Sequence, residues 1–457
     1  MIFYSFSFLA FFLTMSLLFQ FSAKIRRQRW VILLANILFY GYWDARLLGL
    51  LFGIIGACYI SAIAYHKTQR KTPIAVCVVF CLSVLAVCKY SNFFVEAFCR
   101  SFGIANRFSL QIILPLGISF YIFQALSYLF DVKKAVIPAQ TDFVKLAAYL
   151  SFFPLITAGP IVKARDFLPQ LDRLHRIKKE NVYRGISLFL MGLTKKVVFA
   201  DRIAVAVNAV YQAPGAYDGI SILLALIGYA MQLYCDFSGY SDMAIGIAAI
   251  WDFDLDRNFN MPYLAKNSSD FWNRWHISLS SWFREYVYFP MGGSRCARWK
   301  TYRNLLITML LSGLWHGANW TFLIWGGLHG VVAVVSKVWT DSGKTKTRHA
   351  WACILLNNVV VVLLWGLFRA DSLQEVLQIY TGLFRLNGVH YINVFVVVYL
   401  VLMVLGNLAA YYRNEGNAIE INLNLDRFRN KLIISVWIFL IVMFAYVGDS
   451  AFIYAQF

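Results

Sequence analysis

The sequence predicts an all-α, polytopic integral membrane protein, and two observations support this prediction. Of the 457 residues, 60% are hydrophobic and only 14% are charged, and the mean hydropathy is +0.61. A soluble domain cannot bury this much apolar surface while covering itself with polar groups. Apolar runs long enough to cross a hydrocarbon core of roughly 30 Å also recur from one end of the chain to the other. We therefore expect a single membrane domain over residues 1–457.

The apolar runs predict about eleven to twelve transmembrane helices. They lie near residues 1–22, 30–43, 46–65, 74–90, 111–130, 183–200, 218–235, 304–320, 322–338, 349–369, 391–411 and 432–448. The second run is short for a full crossing. A further apolar stretch, Leu146 to Val162, is interrupted by Pro154, Gly159 and Pro160. Such interruptions are typical of a re-entrant element that is packed inside protein.

Positive charge predicts the orientation of these spans. The first run has no basic residue before it and four after it, which indicates an uncleaved span with the N-terminus outside. If the crossings alternate, the cytoplasmic connections hold 32 of the 42 lysines and arginines, and both termini lie outside. Those connections are 24–29, 66–73, 131–182, 236–303, 337–348 and 412–431. Lys195 and Lys196 conflict with this scheme unless the helix breaks there or they are buried against another element.

The charge and cysteine content exclude two other classes of partner. The net charge is +19, but the basic residues are spread through short loops, which favours contact with anionic membrane lipid and not with nucleic acid. The eight cysteines lie mainly within apolar runs, and no spacing among them is typical of a zinc site. We expect no bound metal and no disulfide framework.

The polar connection 236–303 contains a segment rich in aromatic residues, Asp270 to Tyr286. Tryptophans and a leucine recur there every three or four residues, which predicts one amphipathic helix lying in the interface or dipping into the protein. Ser268, Ser269 or Asp270 could cap it, and Pro290 with the following glycines would end it. His276 is either an interfacial anchor of this helix or a functional group, and its setting alone does not decide between them.

A second histidine, His316, sits with Asn319 inside an otherwise apolar span. Polar groups at membrane depth are costly to desolvate, so they usually face a partner or a cavity. The simpler explanation is packing, because Gly313 and Gly317 are four residues apart and would let another helix approach closely. Function is favoured, since a serine or threonine would serve packing at less cost. His329 raises the same question, but no second polar residue accompanies it.

The segment Asp236 to Asp242 places two carboxylates and three hydroxyl groups at a predicted membrane boundary. These groups could orient a histidine or a substrate, or they could form a satisfied network at a helix end. A neutral histidine with a pKa near 6.5 can take a proton from a hydroxyl group at neutral pH. Transfer of an acyl group from a thioester to an alcohol needs such a base, and it needs no metal.

Five motifs, in order between Leu114 and Asn319, together carry a family resemblance. They are Leu114-Pro-Leu-Gly-Ile-Ser-Phe-Tyr-Ile-Phe123, Ala158-Gly-Pro160, Asp236-Phe-Ser-Gly-Tyr-Ser-Asp-Met-Ala-Ile-Gly246, Phe271-Trp-Asn-Arg-Trp-His-Ile-Ser-Leu-Ser280 and Leu314-Trp-His-Gly-Ala-Asn319. The chain resembles the membrane-bound O-acyltransferase family, in the bacterial branch that modifies alginate, peptidoglycan and teichoic acid. The resemblance implies that His316 is the catalytic histidine, placed in a tunnel between the two membrane faces, and that His276 lies toward the donor side.

The last residues, Ala451 to Phe457, are similar to the aromatic C-terminal motif of this branch, which often reads Phe-Ile-Tyr-Phe-Gln-Phe. Tyr454 keeps the tyrosine, and Ala455 replaces the usual phenylalanine. Residues 432–457 are therefore a candidate relay element, in which Tyr454 would accept the acyl group. The alternative is that Tyr454 anchors the terminus at the membrane interface.

The resemblance implies an O-acetyltransferase of the bacterial inner membrane. It would take acetyl groups from cytoplasmic acetyl-CoA, with no permanently bound cofactor. The acceptor would be a cell-envelope or secreted polysaccharide, reached through an extracytoplasmic serine hydrolase-like O-acetyltransferase as partner. Two alternatives stay open: a transporter or flippase of a lipid-linked or acylated intermediate, and an enzyme of the same class whose donor is a carrier-protein thioester.

Overall fold

The computed structural model of the chain describes residues 1–103, 114–342, 350–412, 423–446 and 448. The described residues are helical and contain no β-strand, only an isolated bridge between Tyr217 and Val389. The all-α prediction is therefore confirmed. The first helices are α1 (Phe6–Phe21), α2 (Ile25–Asp44), α3 (Leu47–Thr68), α4 (Thr72–Ser101), α5 (Ile118–Lys133), α6 (Phe143–Leu150), α7 (Ala164–Phe167), α8 (Lys179–Leu193) and α9 (Asp201–Gln212).

The remaining helices of the described chain begin with a long one that carries the Asp236–Asp242 motif. They are α10 (Gly219–Ile250), α11 (Ser268–Trp272), α12 (Ile277–Phe283), α13 (Arg298–His316), α14 (Trp320–Asp341), α15 (Ala350–Arg369), α16 (Leu373–Gly382), α17 (Val394–Tyr412) and α18 (Phe428–Phe444). Two π-helical segments, Thr194–Ala200 and Arg284–Tyr288, follow α8 and α12 directly.

Five of the described helices are long and apolar enough to cross a membrane: Leu47–Thr68, Thr72–Cys99, Gly219–Ile250, Trp320–Asp341 and Ala350–Arg369. Phe6–Phe21 and Val394–Gly406 are apolar but shorter. Large apolar side chains also point outward from several helices, such as Leu355 at 67% and Phe439 at 60% exposure. An outer surface of this kind suits lipid, and the chain is a multi-pass membrane protein. The count of about eleven to twelve crossings stays a prediction.

The structure divides into two compact units, of which the first comprises residues 1–189, 242–256 and 422–425. The predicted re-entrant stretch, 146–162, lies in this unit as the end of α6 followed by buried turns. Asn36 on α2 satisfies the turn: its side chain accepts from the Phe153 amide at 2.9 Å and donates to the Ala148 carbonyl at 3.2 Å. Irregular backbone is thus tolerated because protein groups satisfy it.

The second unit comprises residues 190–241, 257–421 and 426–457, and its central feature is the hairpin of α13 and α14. The two helices meet at Gly313 and Gly326, where an added Cβ on Gly326 would lie 2.4 Å from the Met309 carbonyl oxygen. A Cβ on Gly317 would meet the ring of Phe322 at 2.3 Å. The expected packing role of Gly313 and Gly317 is therefore real, and it brings His316 to the end of a tightly closed hairpin.

Two expectations for residues 236–303 are wrong in detail. The Asp236–Asp242 motif lies within α10 and not at a helix end, because α10 continues to Ile250. The segment 270–286 is not one helix: α11 ends at Trp272, and α12 begins after His276, whose φ of +43° is left-handed. Asn267 caps α11, since its side chain accepts from the Asp270 amide. Trp275 and Trp282 are buried at 1% and 4% exposure, so this segment packs into protein.

Lys196, one of the two lysines that conflicted with simple alternation, is accommodated in both of the ways considered. The helix changes to π-helical geometry at Thr194–Ala200, and the Lys196 side chain is buried at 4% exposure. Its ammonium group lies 2.8 Å from Asp201 and 2.7 Å from Asp236. A buried cation with two carboxylate partners is no longer evidence about which side of the membrane it faces.

The contact between α13 and α14 predicts that alanine substitution destabilises the protein at one glycine and has little effect at its neighbour. We expect Gly326→Ala to destabilise the protein by about 1–3 kcal/mol, because its Cβ would overlap the backbone of α13. Gly327→Ala is the matched control: its Cβ would meet only Leu310, at 3.4 Å, and the change should stay within about 0.5 kcal/mol. Thermal unfolding of both variants in detergent tests this, and equal midpoints would contradict the close contact.

Candidate active site

Three histidines of the second unit lie in one cluster of aromatic rings. His276 sits between α11 and α12, His316 is the last residue of α13, and His329 lies in the middle of α14. Their exposures are only 1%, 3% and 2%. Burial of a polar imidazole costs desolvation free energy, and polar groups at such positions are often functional. This cluster is therefore the candidate site.

His316 is enclosed by rings from three helices. Its ring centroid lies 4.9 Å from that of Trp315, 5.2 Å from Trp325 and 5.1 Å from Phe368. The chain turns immediately after it, and Asn319 caps α14 by accepting from the Thr321 amide at 3.1 Å. Asn319 also donates to the Asp371 carbonyl at 2.8 Å. In the structure, Asn319 therefore fixes the turn that presents His316.

His276 is held by Asn258. Its Nδ1 lies 3.2 Å from the Asn258 side-chain oxygen, which also accepts from the amide and hydroxyl groups of Ser278 at 3.1 and 2.9 Å. The backbone N–H of Ser278 can only donate, so the Asn258 atom that it faces is the side-chain oxygen. Because that oxygen can only accept, Nδ1 of His276 must carry a proton. Burial lowers the pKa of His276 to about 3. The imidazole is thus neutral, with the lone pair on Nε2.

The Asp236–Asp242 motif supports His276 from α10. Ser241 accepts a long hydrogen bond from the Asn258 side chain at 3.4 Å. Phe237 packs edge-on against the His276 ring with centroids 4.6 Å apart. A network at a helix end does not agree with the structure, because the motif lies within α10, and its role in orienting a histidine or a substrate stays a prediction.

Trp315 joins the two histidines that sequence reasoning selected. Its ring centroid lies 6.1 Å from that of His276 and 4.9 Å from that of His316. The structure therefore brings His276 and His316 to the same indole ring, although they are 40 positions apart in the chain. Tyr454, the third predicted site residue, lies outside the described residues.

His329 belongs to the same cluster, which the sequence analysis undervalued. Its ring lies 4.7 Å from Trp325 and 5.0 Å from Trp272, and Trp325 in turn contacts His316. The sequence contains one relevant signal: Trp325 and His329 are four residues apart and share a face of α14. A lone polar residue in an apolar helix does not reveal which aromatic partners it will meet.

A cavity of about 640 Å³ opens beside this cluster. Serine and threonine hydroxyl groups dominate its polar wall, and Arg284 and Lys337 add positive charge. Trp272, which touches His329, and Ser312, one turn before His316, reach its surface, whereas the three histidines themselves do not line it. The aromatic cluster therefore forms a layer behind the cavity wall.

Three of the eight cysteines also form a cluster, which their spacing in the sequence did not reveal. The sulfur atoms of Cys58, Cys77 and Cys81 lie within 4.8 Å of one another, all three buried. They belong to the first unit, whereas the three histidines belong to the second. The histidines are surrounded by aromatic rings, and acid–base chemistry is what an imidazole can perform.

The support of His276 by Asn258 predicts a measurable loss of stability. Asn258→Ala would leave the His276 N–H and both Ser278 donors without their acceptor, so we expect a loss of about 1–3 kcal/mol. Ser278→Ala, the control, removes only one donor and should cost about 0.5–1.5 kcal/mol. Denaturation of both variants tests the order, and a loss in Ser278→Ala as large as in Asn258→Ala would contradict it.

Comparison with known proteins identifies the family of the chain. The chain matches MBOAT, the membrane-bound O-acyltransferase family, over residues 65–374. It is 38% identical to the probable alginate O-acetylase of Azotobacter vinelandii, covering 84% of this chain and 78% of that protein. It is 34% identical to the probable alginate O-acetylase of Pseudomonas putida over the whole of both chains. The peptidoglycan O-acetyltransferase of Helicobacter pylori is 36% identical, covering 79% of this chain and 74% of that protein. The chain belongs to the membrane-bound O-acyltransferase family and is an acyltransferase.

Proposed function

We propose that this protein transfers acetyl groups from cytoplasmic acetyl-CoA across the membrane for O-acetylation of a cell-envelope or secreted polysaccharide. The observation that carries the proposal is the pairing of His316 and His276 through Trp315, next to a cavity that could admit a donor. The names of the relatives, which concern alginate and peptidoglycan O-acetylation, support the acetyl group and the glycan acceptor.

In the proposed reaction, His316 acts as the general base. It takes the proton from the acceptor hydroxyl group, and the oxygen attacks the acetyl carbonyl carbon of the thioester. The new C–O bond forms, the C–S bond breaks, and the imidazolium of His316 returns the proton to the CoA thiolate. The aromatic surroundings exclude water, which favours transfer over hydrolysis.

His276 serves the donor in this scheme. The resemblance assigns His276 to the donor side, and the Trp315 ring that it shares with His316 supports a position beside the reacting group. Arg284 at the cavity donates to the neutral side chain of Asn273 and suits the phosphates of CoA, whereas Lys337 is paired with Asp341 at 2.7 Å. Both residues belong to connections that the charge distribution assigns to the cytoplasm.

Tyr454 is the proposed first acceptor. The loop charges predict a C-terminus outside the membrane, from which an acetylated Tyr454 could pass the group to an extracytoplasmic serine hydrolase-like O-acetyltransferase. The whole chain, 1–457, then works as one catalytic domain in the inner membrane, with both termini extracytoplasmic and with the basic loops against anionic lipid. The match over residues 65–374 supports this extent, since it runs through both compact units.

Labelling with radioactive acetyl-CoA tests the histidine and the tyrosine together. We expect purified wild-type protein to retain label on Tyr454, and His316→Ala to lower the labelling rate by about 10²–10⁴ because the base is lost. Tyr454→Phe should abolish stable label. His390→Ala is the matched control, because His390 is half exposed, pairs with Asp218 and lies outside the cluster.

The same measurement separates the alternatives. Label that is lost in His316→Ala but kept in Tyr454→Phe would support the acyltransferase and show that a residue other than Tyr454 is the acceptor. Transfer that does not depend on His316, with the polysaccharide-modifying partner present, would instead favour a transporter or flippase of an acylated intermediate. Activity with acetylated carrier protein but not with acetyl-CoA would show that the enzyme takes its acyl group from a carrier-protein thioester.

The charge at the cavity predicts a specific kinetic change. We expect Arg284→Gln to raise the KM for acetyl-CoA about three- to tenfold with little change in kcat, since among the described residues Arg284 donates to the neutral amide of Asn273 and to no carboxylate. Arg298→Gln is the control, because Arg298 is exposed on α13 and does not line the cavity. Equal KM values for the two variants would exclude this cavity as the donor entrance.

A further inference from the structure

The π-helical segment Thr194–Ala200, together with Arg202, holds the end of the last described helix. π-helical turns are rare and are often found at functional sites. Here the amide of Tyr446, just beyond α18, donates to the Val197 carbonyl at 2.8 Å. Earlier in α18, the Trp437 indole donates to the Thr194 hydroxyl at 2.9 Å. We refer to Thr194–Arg202 as the tail clamp.

Arg202 completes the tail clamp by capping α18. Its Nε donates to the Phe444 carbonyl at 2.5 Å and its Nη2 to the Ala445 carbonyl at 3.2 Å. The last carbonyls of a helix have no partner within the helix, and a basic side chain is well suited to satisfy them. The ring of Phe395 on α17 lies 4.7 Å from the guanidinium carbon and keeps it in place.

Buried charge gives the tail clamp a fixed shape. Lys196 is enclosed between Asp201, which begins α9, and Asp236 on α10. Breaking such a buried set by removing one member is costly, so the segment cannot easily return to ordinary α-helical geometry. Gly239 permits the close approach, since a Cβ there would lie 2.7 Å from the Gly192 carbonyl oxygen.

The residue of α10 that pairs with the tail clamp is adjacent to the residue that packs against His276. Asp236, which pairs with Lys196, immediately precedes Phe237, whose ring packs against His276. One turn of α10 therefore contacts the clamp on one side and the donor-side histidine on the other. Tyr446 and Tyr454 are eight positions apart, and an extended chain of that length spans at most about 29 Å.

We propose that the tail clamp is a docking site for the C-terminal end of α18, and that it sets the starting point from which Tyr454 reaches the acyl group. The ligand of the site is the chain's own helix end, recognised through its carbonyl oxygens and one amide. This inference rests on the proposed role of Tyr454 as acceptor. Arg202 has a positioning role in it, because its side chain holds the carbonyl oxygens at the end of α18.

Hydrogen exchange and labelling with acetyl-CoA, measured on the full-length protein, test the proposal. We expect Arg202→Gln to speed amide exchange at Ala445 and Tyr446 about tenfold or more, because the carbonyls of α18 lose their cap. The single-turnover rate of Tyr454 labelling should fall by a similar factor, while the KM for acetyl-CoA stays at its wild-type value. Arg202→Lys keeps the positive charge but loses the two-pronged guanidinium geometry. It should therefore restore part of the exchange protection and part of the labelling rate.

Arg46→Gln is the matched control, since Arg46 is 77% exposed, pairs locally with Asp44 and belongs to the first unit. Unchanged exchange in Arg202→Gln would overturn the docking site. Faster exchange with labelling at the wild-type rate would overturn the positioning role. If wild-type protein carries no label on Tyr454, the relay itself is refuted, and the exchange of Ala445 and Tyr446 alone then decides whether α18 docks there.

Discussion

Lipid offers no hydrogen bonds, so every polar group that this chain places among its apolar helices must find a partner within the protein. The buried polar side chains show the consequence. Asn36 satisfies the turn after α6, Asn258 receives three donors, and Lys196 sits between two carboxylates. Each of these residues joins segments that are distant in the chain, and together they hold irregular backbone at places where a regular helix would have been simpler.

The candidate site depends on that same constraint. A left-handed residue, a turn and a π-helical segment are all unfavourable in isolation, and each occurs next to the histidine cluster or to the end of α18. His276 occupies the break between two short helices because Asn258 fixes its ring and the neighbouring backbone. His316 occupies the end of α13 because paired glycines close the hairpin and Asn319 caps the next helix.

The surroundings of His316 are aromatic and apolar. Trp315, Trp325 and Phe368 remove water from the rings, and a dry, apolar setting keeps an imidazole neutral and able to accept a proton. The hydroxyl-lined cavity lies next to this layer. The second unit therefore places a polar cavity next to an aromatic, apolar layer.

The sequence by itself determined the fold class and the family, and it singled out the interrupted stretch 146–162 and two of the clustered histidines. Apolar runs and polar residues within them are local signals, and they need no knowledge of which segments meet. Only the tertiary structure decided that the helix breaks at His276, that His329 joins the cluster, and that Lys196 pairs with Asp236. Those outcomes depend on contacts between residues far apart in the chain. Helical periodicity reports which face of a segment is apolar, but not which distant side chain will satisfy its polar groups.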